Sequence, residues 1–452
     1  MLIREAKLKN GTEEQYLAIE EAIRTAQFVR NKAIRHWIDN QGVGKIDLYA
    51  LCKDLAKEFG FARQLNSAAR QASVERAWNS ISSFYARCKA GAKKKGYPKF
   101  KKHARSVEYK VSGWKLSGDC MNIVFTDGFG IGNLSLFCNN ETREDLHRLK
   151  INRVRIVRRA DGYYAQFCFD TTRVEEGVYT GSVVGLDLGL KYFTKDQNDR
   201  AVIYPQFLRK SERRLKKASR RLSKKFVKGA KPPLGETHIW AGDPTSAEGT
   251  SARFHPQSNN YHKARKRLGR IHLKIQRQRK DWAIKQARCV VASNDAVAYE
   301  DLQIANMVKN HHLAKSISDA SWYQFTQWLE YYGKIWSKAV VAVPPAYTSQ
   351  DCSNCGHRAK KSLSTRTHSC SSCGIELCRD TNAALNILKK GMKILGMEWQ
   401  RLGTVGFPDA HAETRHNSTF GQKESASNEG KHEEKTAATI RALEWQADFD
   451  ES

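Results

Sequence analysis

From Thr12 the apolar positions Tyr16, Ile19, Ile23, Phe28, Ile34 and Trp37 recur at spacings of mostly three to five, the period of a helix with one buried face. A second helix is predicted from about Asn66 to Cys88, with Ala69, Val74, Trp78, Ile81 and Tyr85 on roughly one side. The cluster from Gly91 to Lys102, rich in lysine and carrying Gly96 and Pro98, ends it. The period then changes. Between Ser106 and Thr172 the runs VEYKVSGWKL, MNIVFT, LSLFC, INRVRIVRR and YYAQFCFD alternate apolar and polar residues between Gly, Asp and Asn turns. These predict a small β-barrel, which a short strand over residues 1–10 would join, the helices being an insertion. From Val183 the apolar runs VVGLDL, YFT, AVIY, DAVAYE and KAVVAV alternate with long helical stretches, the pattern of an α/β sheet. The fold class expected is therefore multidomain α+β.

Charge changes the picture. Phe207–Lys225 holds ten Lys or Arg against one Glu, with Leu208, Leu215 and Leu222 at heptad spacing, and Tyr261–Arg288 is also basic, so the two read as a helical hairpin. Residues 228–260 between them, rich in Gly, Pro and Ser, read as a flexible insertion. Residues 403–452 lose hydrophobic periodicity, and from Phe407 ten acidic residues outnumber five basic ones, which predicts a disordered tail. Over the whole chain 77 Lys and Arg face 47 Asp and Glu, a net charge of +30, for which nucleic acid is the natural counter-charge. A membrane surface is the rival partner. No run of 18 apolar residues occurs and MLIREAKLKN lacks a signal-peptide core, so an intracellular protein is expected. Seven scattered cysteines among the eleven fit a reducing compartment rather than a disulfide framework.

The other four form C-x2-C-x14-C-x2-C: Cys352, Cys355, Cys370 and Cys373, each pair followed by glycine. Four thiolates in two tight turns make the closed tetrahedral set of structural Zn²⁺, against a redox or iron–sulfur site. Three carboxylates stand near strand and helix ends. Asp187 lies in VVGLDLG, Glu300 ends DAVAYE, and Asp380 lies in RDTNAALNI at a helix start. Taken singly, Asp187 also fits a sugar-kinase-like ATPase, Glu300 a strand-terminal carboxylate and Asp380 a helix cap. Together they suit two-metal phosphodiester hydrolysis at the carboxyl ends of α/β strands.

GLDLGLKYF, AYEDL, SISDASWYQF, TSQDCSNCGH and CSSCGIELCRDTNAALNI resemble the RuvC segments and zinc ribbon of the TnpB proteins of insertion sequences, over roughly residues 1–400. The ribbon stands directly before the third acidic motif, Asp380 being seven residues after Cys373, and the acidic order Asp, Glu, Asp is not the Asp, Asp, Glu of DDE transposases. The resemblance implies an RNA-guided DNA endonuclease, a monomer with one guide RNA, acting on double-stranded target DNA in a prokaryotic, nucleoid-associated, cytoplasmic setting without a membrane. It implies a RuvC/RNase H-like nuclease domain (181–347 and 376–402) with an inserted zinc ribbon (348–375). A β-barrel wedge (1–10 and 106–180) and a helical recognition module (11–105) would precede them.

By the same resemblance Asp187, Glu300 and Asp380 would be catalytic and hold two Mg²⁺ ions, which Mn²⁺ would replace, with Asn382 a supporting polar residue. The run Gly96-Tyr-Pro-Lys-Phe-Lys resembles the family's Gly-Phe-Pro-Arg-Phe segment, which marks Lys99 and Lys101 for nucleic acid. Gln71 would pair with an adenine beside the target, or is simply an exposed helical glutamine. The basic helix adds Arg213, Arg214, Lys217, Arg220 and Arg221. A compact type V CRISPR effector shares the motifs. A nuclease-dead RNA-guided repressor would lose acidic motif residues, and all three are present; a plain zinc-stapled DNA-binding protein is the blander reading.

Overall fold

A computed structural model describes residues 2–171, 173, 175–227, 257–361 and 365–396. The expected acidic tail and, up to residue 256, the expected insertion lie outside the described residues. The fold is mixed α/β and multidomain. The described parts of residues 1–173 and 211–276 form one compact unit and those of 174–210 and 277–452 the other.

The first unit starts with β1 (Leu2–Lys9), then α1 (Glu13–Asp39), α2 (Lys45–Glu58), α3 (Gly60–Gln64) and α4 (Ser67–Lys89). Thr12 and Gln15 start α1 with a capping box, each side chain accepting the other's backbone N–H, and Glu13 and Glu14 complement the helix dipole. Next come β2 (Ser106–Tyr109), β3 (Trp114–Leu116), β4 (Asn122–Phe125), β5 (Gly132–Phe137), α5 (Asn140–Arg148), β6 (Ile151–Arg159) and β7 (Gly162–Phe169). The sheet runs β2-β6-β7-β1-β5-β4-β3, so the first strand lies at its centre and the four helices are inserted after it.

The barrel expected from the alternating runs is open, a half-barrel whose edge strands β2 and β3 do not pair with each other. Its core is completed by helix instead. Ala18, Ile19, Ala22, Ile23 and Ala26 of α1 pack with Val107, Phe125, Leu134, Ile156 and Phe167 of the sheet, and the Gln15 amide donates to the carbonyls of Ile131 and Asn133. The remaining apolar face of α1 (Phe28, Val29, Ile34) builds a second core with Leu48, Leu55, Val74 and Ile81. Helix α5 was not expected; Asn139 caps it, accepting from the N–H of Thr142, within a stretch read as strand and turn.

In the second unit β8 (Val183–Asp187), β9 (Thr194–Asp196), β10 (Ala201–Val202), β11 (Ala296–Glu300) and β12 (Ala339–Val343) form a sheet in the order β10-β9-β8-β11-β12. β8, β11 and β12 are parallel; β9 and β10 are antiparallel additions. The basic helices α6 (Phe207–Ser223) and α7 (Asn259–Ala292) pass from one unit to the other. They are followed by α8 (Ile304–Met307), α9 (Ala314–Ala320), α10 (Trp322–Ile335), the hairpin β13 (Thr367–Ser369) and β14 (Glu376–Cys378), and α11 (Arg379–Ile394).

Strand alternation sorts the two faces. Val184, Leu186, Val297 and Tyr299 enter a core with Ala283 and Ala287 of α7 and Phe325 and Leu329 of α10. Gly185, Asp187, Ala298 and Glu300 therefore project to the opposite face, where Ala298 packs with Ile387 of α11. The helix lies so close that a Cβ on Gly185 would stand 2.4 Å from the Ala384 carbonyl oxygen, and one on Gly391 2.4 Å from the Ala298 Cβ. Gly185→Val is expected to cost about 1–3 kcal/mol, the usual range for overpacking, measured by denaturant unfolding. An unchanged midpoint would mean that the contact is soft.

Candidate active site and metal centre

Asp187 and Glu300 end neighbouring parallel strands paired Leu186 to Tyr299, so the two carboxylates lie side by side at the carboxyl edge of the sheet. Asp380 is the second residue of α11, the helix packed over those strands on the same side. Open α/β sheets bind ligands at this edge. Burial, and then the nearby charges of Glu300 and Asp380, push the Asp187 carboxyl up to about 8. Burial also raises Glu300, only partly offset by the Thr348 hydroxyl, which donates to Glu300 Oε1 at 2.6 Å. Asp380 accepts from the Arg379 guanidinium at 2.9 Å. An all-oxygen set of three carboxylates at one partly buried edge would suit a hard ion such as Mg²⁺. The three oxygens are nevertheless not gathered to ligand spacing: among the described residues only the four thiols bring three or more His, Cys, Asp or Glu ligand atoms within 4.8 Å of one another. Glu300 and Asp380 are each held by a neighbour instead.

The raised Asp187 value has a measurable sign. Its folded value lies above the unfolded carboxyl's ~3.9, so its contribution to stability is full below that value and is lost as pH rises through about 8. In magnesium-free buffer the protein should lose stability over this window by up to about 1.4 kcal/mol per pH unit, and Asp187→Asn should flatten the loss. Thermal melts across pH check this; identical slopes for both proteins would remove the assignment.

Cys352, Cys355, Cys370 and Cys373 come together as the spacing requires. Each pair closes a matching turn: the N–H of Gly356 donates to the Cys352 carbonyl and that of Gly374 to the Cys370 carbonyl, both at 2.9 Å, with φ of 78° and 70°. A left-handed residue is needed at both places, and glycine supplies it. The Asn354 side chain and the N–H of Ile375 draw the Cys373 thiol down to about 6, toward the thiolate that binds metal. Four sulfurs in this arrangement fit zinc.

Helix α11 holds the segment before and through the first cysteine pair by its main chain. Asn382, fully buried, accepts from the N–H of Ser353 and donates to the Asp351 carbonyl, both at 2.8 Å. Asn386, one turn on, donates to the carbonyls of Thr348 (2.9 Å) and Asp351 (2.7 Å). Thr348 thus reaches Glu300 from a backbone fixed by α11. Asn386 and Thr348 were not singled out from the sequence, although two asparagines four apart on the apolar side of a helix were a usable signal. Lys195, opposite Asp187 in the β8–β9 ladder, is buried and was also missed. Burial alone would lower its ammonium, but the Asp199 carboxylate and Cys378 sulfur raise it. Burial pushes the Cys378 thiol up, and Lys195 with the first N–H groups of α11 brings it below its ordinary value.

Gln71 and Lys99 are exposed and Lys101 is half-buried, all in the first unit. The lysine segment is pinned: Arg30 donates to the Lys99 carbonyl and Asn31 to the Lys101 carbonyl. Arg213, Arg214, Lys217, Arg220 and Arg221 are exposed on α6. Where the expected insertion leaves and rejoins the hairpin, the Gln257 amide bonds both backbone groups of Val227. Asp319, from the motif SISDASWYQF, is buried, accepts from the N–H groups of Leu208 and Arg209, and pairs with Arg279 at 2.9 Å, fastening the start of α6 to α7. No helix among the described residues is long and apolar enough to cross a membrane.

A family model described as "Cas12f1-like, TNB domain" matches residues 322–387, and one described as "Probable transposase" matches residues 246–311. A Streptomyces pristinaespiralis protein named "Putative RNA-guided DNA endonuclease" is 26% identical over 393 residues, 84% of this chain and 87% of that protein. "TnpB-like protein MJ0012" of Methanocaldococcus jannaschii is 34% identical over 116 residues, 25% of this chain and 51% of that protein. In fold, the chain is similar to Cas12f1 in the structure titled "Cryo-EM structure of the Cas12f1-sgRNA-target DNA complex", with a TM-score of 0.50, 13% identity and 83% of each chain covered. The fold is a multidomain α/β arrangement similar to that of Cas12f1. Over the matched stretches the chain is similar to TnpB-like proteins.

Proposed function

We propose that this chain is an RNA-guided DNA endonuclease that cuts target DNA beside a short flanking motif in a single RuvC/RNase H-like site. The observation that carries the reading is the placement of Asp187 and Glu300 at adjacent parallel strand ends, on the face where α11 presents Asp380. In this reading the nuclease domain is 181–347 with 376–402, the zinc ribbon is 348–375, the wedge is 1–10 with 106–180 and the recognition module is 11–105.

Asp187, Glu300 and Asp380 would hold two Mg²⁺ ions, or Mn²⁺ in their place, which when bound activate water and stabilise the leaving oxygen of the phosphodiester. The rest falls to the chain. Thr348 aims one oxygen of Glu300 by its hydrogen bond, leaving the other free as a ligand. Arg379 pairs with Asp380 and places its positive charge beside the acidic cluster. Burial at the strand ends excludes water that would weaken each charge interaction. Cys352, Cys355, Cys370 and Cys373 would hold one structural Zn²⁺. Base pairing with a guide RNA would read the target, while Lys99, Lys101, Arg213, Arg214, Lys217, Arg220 and Arg221 bind phosphates and Gln71 reads the flanking duplex. This is work for a cytoplasmic, nucleoid-associated protein carrying one guide RNA as a monomer.

The test is to purify the protein with its bound RNA, sequence that RNA, and offer a duplex matched to its variable end. Cutting of both strands that depends on the match and on Mg²⁺ is expected. A protein that carries no RNA, or cuts without regard to the match, would overturn the proposal.

A further inference from the structure

Two residues flanking Asp380 are tied to β9 and its following turn, Cys378 to Lys195 and Thr381 to Asp199. Lys195 of β9 is 6% exposed, and its ammonium lies 2.9 Å from Asp199 Oδ1, 3.0 Å from Cys378 Sγ and 5.5 Å from the centre of the Tyr192 ring. The Thr381 hydroxyl donates to the same Asp199 oxygen. Asp199 is itself set in place: it sits at φ 62° in a turn where Asp196 Oδ1 accepts from the N–H groups of Asn198 and Arg200, both at 2.9 Å. Cys378 precedes α11 and Thr381 is its third residue, so the clamp grips the chain on both sides of Asp380. Its other end is the strand paired with Asp187, through the register Asp187 to Lys195.

We propose that Lys195, Asp199 and Thr381 are positioning residues that fix the first turn of α11, and with it Asp380, relative to Asp187. Lys195 is the buried member of the clamp: its ammonium is compensated by the exposed Asp199 carboxylate and by Cys378, so removing either the charge or the Thr381 hydroxyl takes away one of the ties to α11. The first turn of a helix is where fraying is easiest, because its N–H groups lack intrahelical partners. A ligand for a divalent ion must be held to a fraction of an ångström, so a loosened turn weakens the ion's site before it disturbs the fold.

The proposal rests on the nuclease reading, and the experiment separates the two. Lys195→Met keeps most of the stem and removes the charge; Thr381→Val keeps the volume and removes the hydroxyl. Both should lower the cutting rate at saturating target by about tenfold or more and raise the Mg²⁺ concentration at half-maximal rate, with guide and target binding unchanged. Thr381→Ser, which keeps the donor, should restore both values, and the double variant should lose little more than either single one. Amide hydrogen exchange at Asp380 and Thr381 in protein without target should be about tenfold faster in Lys195→Met and in Thr381→Val. That readout does not need cutting, so it judges the clamp even if the wild type proves inactive. Wild-type exchange rates in Thr381→Val, or an unchanged Mg²⁺ requirement in an active Thr381→Val protein, would overturn the proposal.

Discussion

Asp187→Ala should abolish cutting of both strands while guide-loaded protein stays bound to its target. The side chain removed is the one that burial, and then its two acidic neighbours, push up to about 8. If Asp187 is a metal ligand, the site would lose the several kcal/mol that a metal-held charge is worth in the transition state, roughly a thousandfold or more in rate. Glu300→Ala and Asp380→Ala should match it, and double variants should fall no further, because three ligands of one site act as a unit. Binding should survive, since it would rest on base pairing and on phosphate contacts made by other residues. Gel shift and cleavage read from one sample decide the matter: full cutting by Asp187→Ala removes the assignment, and a wild type that binds without cutting favours an RNA-guided repressor.

Loss of the thiolate site should be nearly as severe. One zinc per chain is expected, and Cys370→Ser, or stripping by a strong chelator, should cost much of the roughly 10–16 kcal/mol by which structural zinc stabilises its fold. The damage should not stop at the cysteines. Asn382 and Asn386 hold residues 348–353 against α11, and Thr348 in that segment supports Glu300, so the protein should melt earlier and cut poorly. Zinc analysis, thermal melting and cleavage on the same preparation check this. Reduced, zinc-free protein that melts and cuts like the zinc form would contradict it.

How much of this was legible beforehand follows from what each feature depends on. Strand-end carboxylates and paired cysteines are local: VVGLDLG, DAVAYE and the two Cys-x-x-Cys turns carry their geometry in neighbouring residues, and they fell where expected. So did α1, started by Thr12. Whether a sheet closes is not local. It depends on whether β2 and β3, at opposite ends of the order, meet each other or meet a helix, and here the face of α1 fills the space. Helix α5 was hidden because its residues are nearly all polar, leaving Leu146 as its one large buried side chain. Lys195 reads as an ordinary charge in a short strand; only the approach of Cys378, far along the chain, shows that it is buried. Thr348 and Asn386 are missed for the same reason, since their partners lie some forty residues away.

Among the described residues, the hydrogen bonds between α11 and the segment at the first cysteine pair join Asn382, Asn386, Lys389 and Lys390 to main-chain carbonyls and one N–H. Such a joint inspects the path of the backbone and is blind to its lettering. Ser349, Gln350 and Ser353 are therefore open to exchange as far as this joint is concerned, whereas proline at 353 would delete the N–H that Asn382 accepts. For an engineer the segment behaves as a cartridge: a ribbon from another protein can be slotted in wherever it retraces the same main-chain course and keeps a threonine to face Glu300.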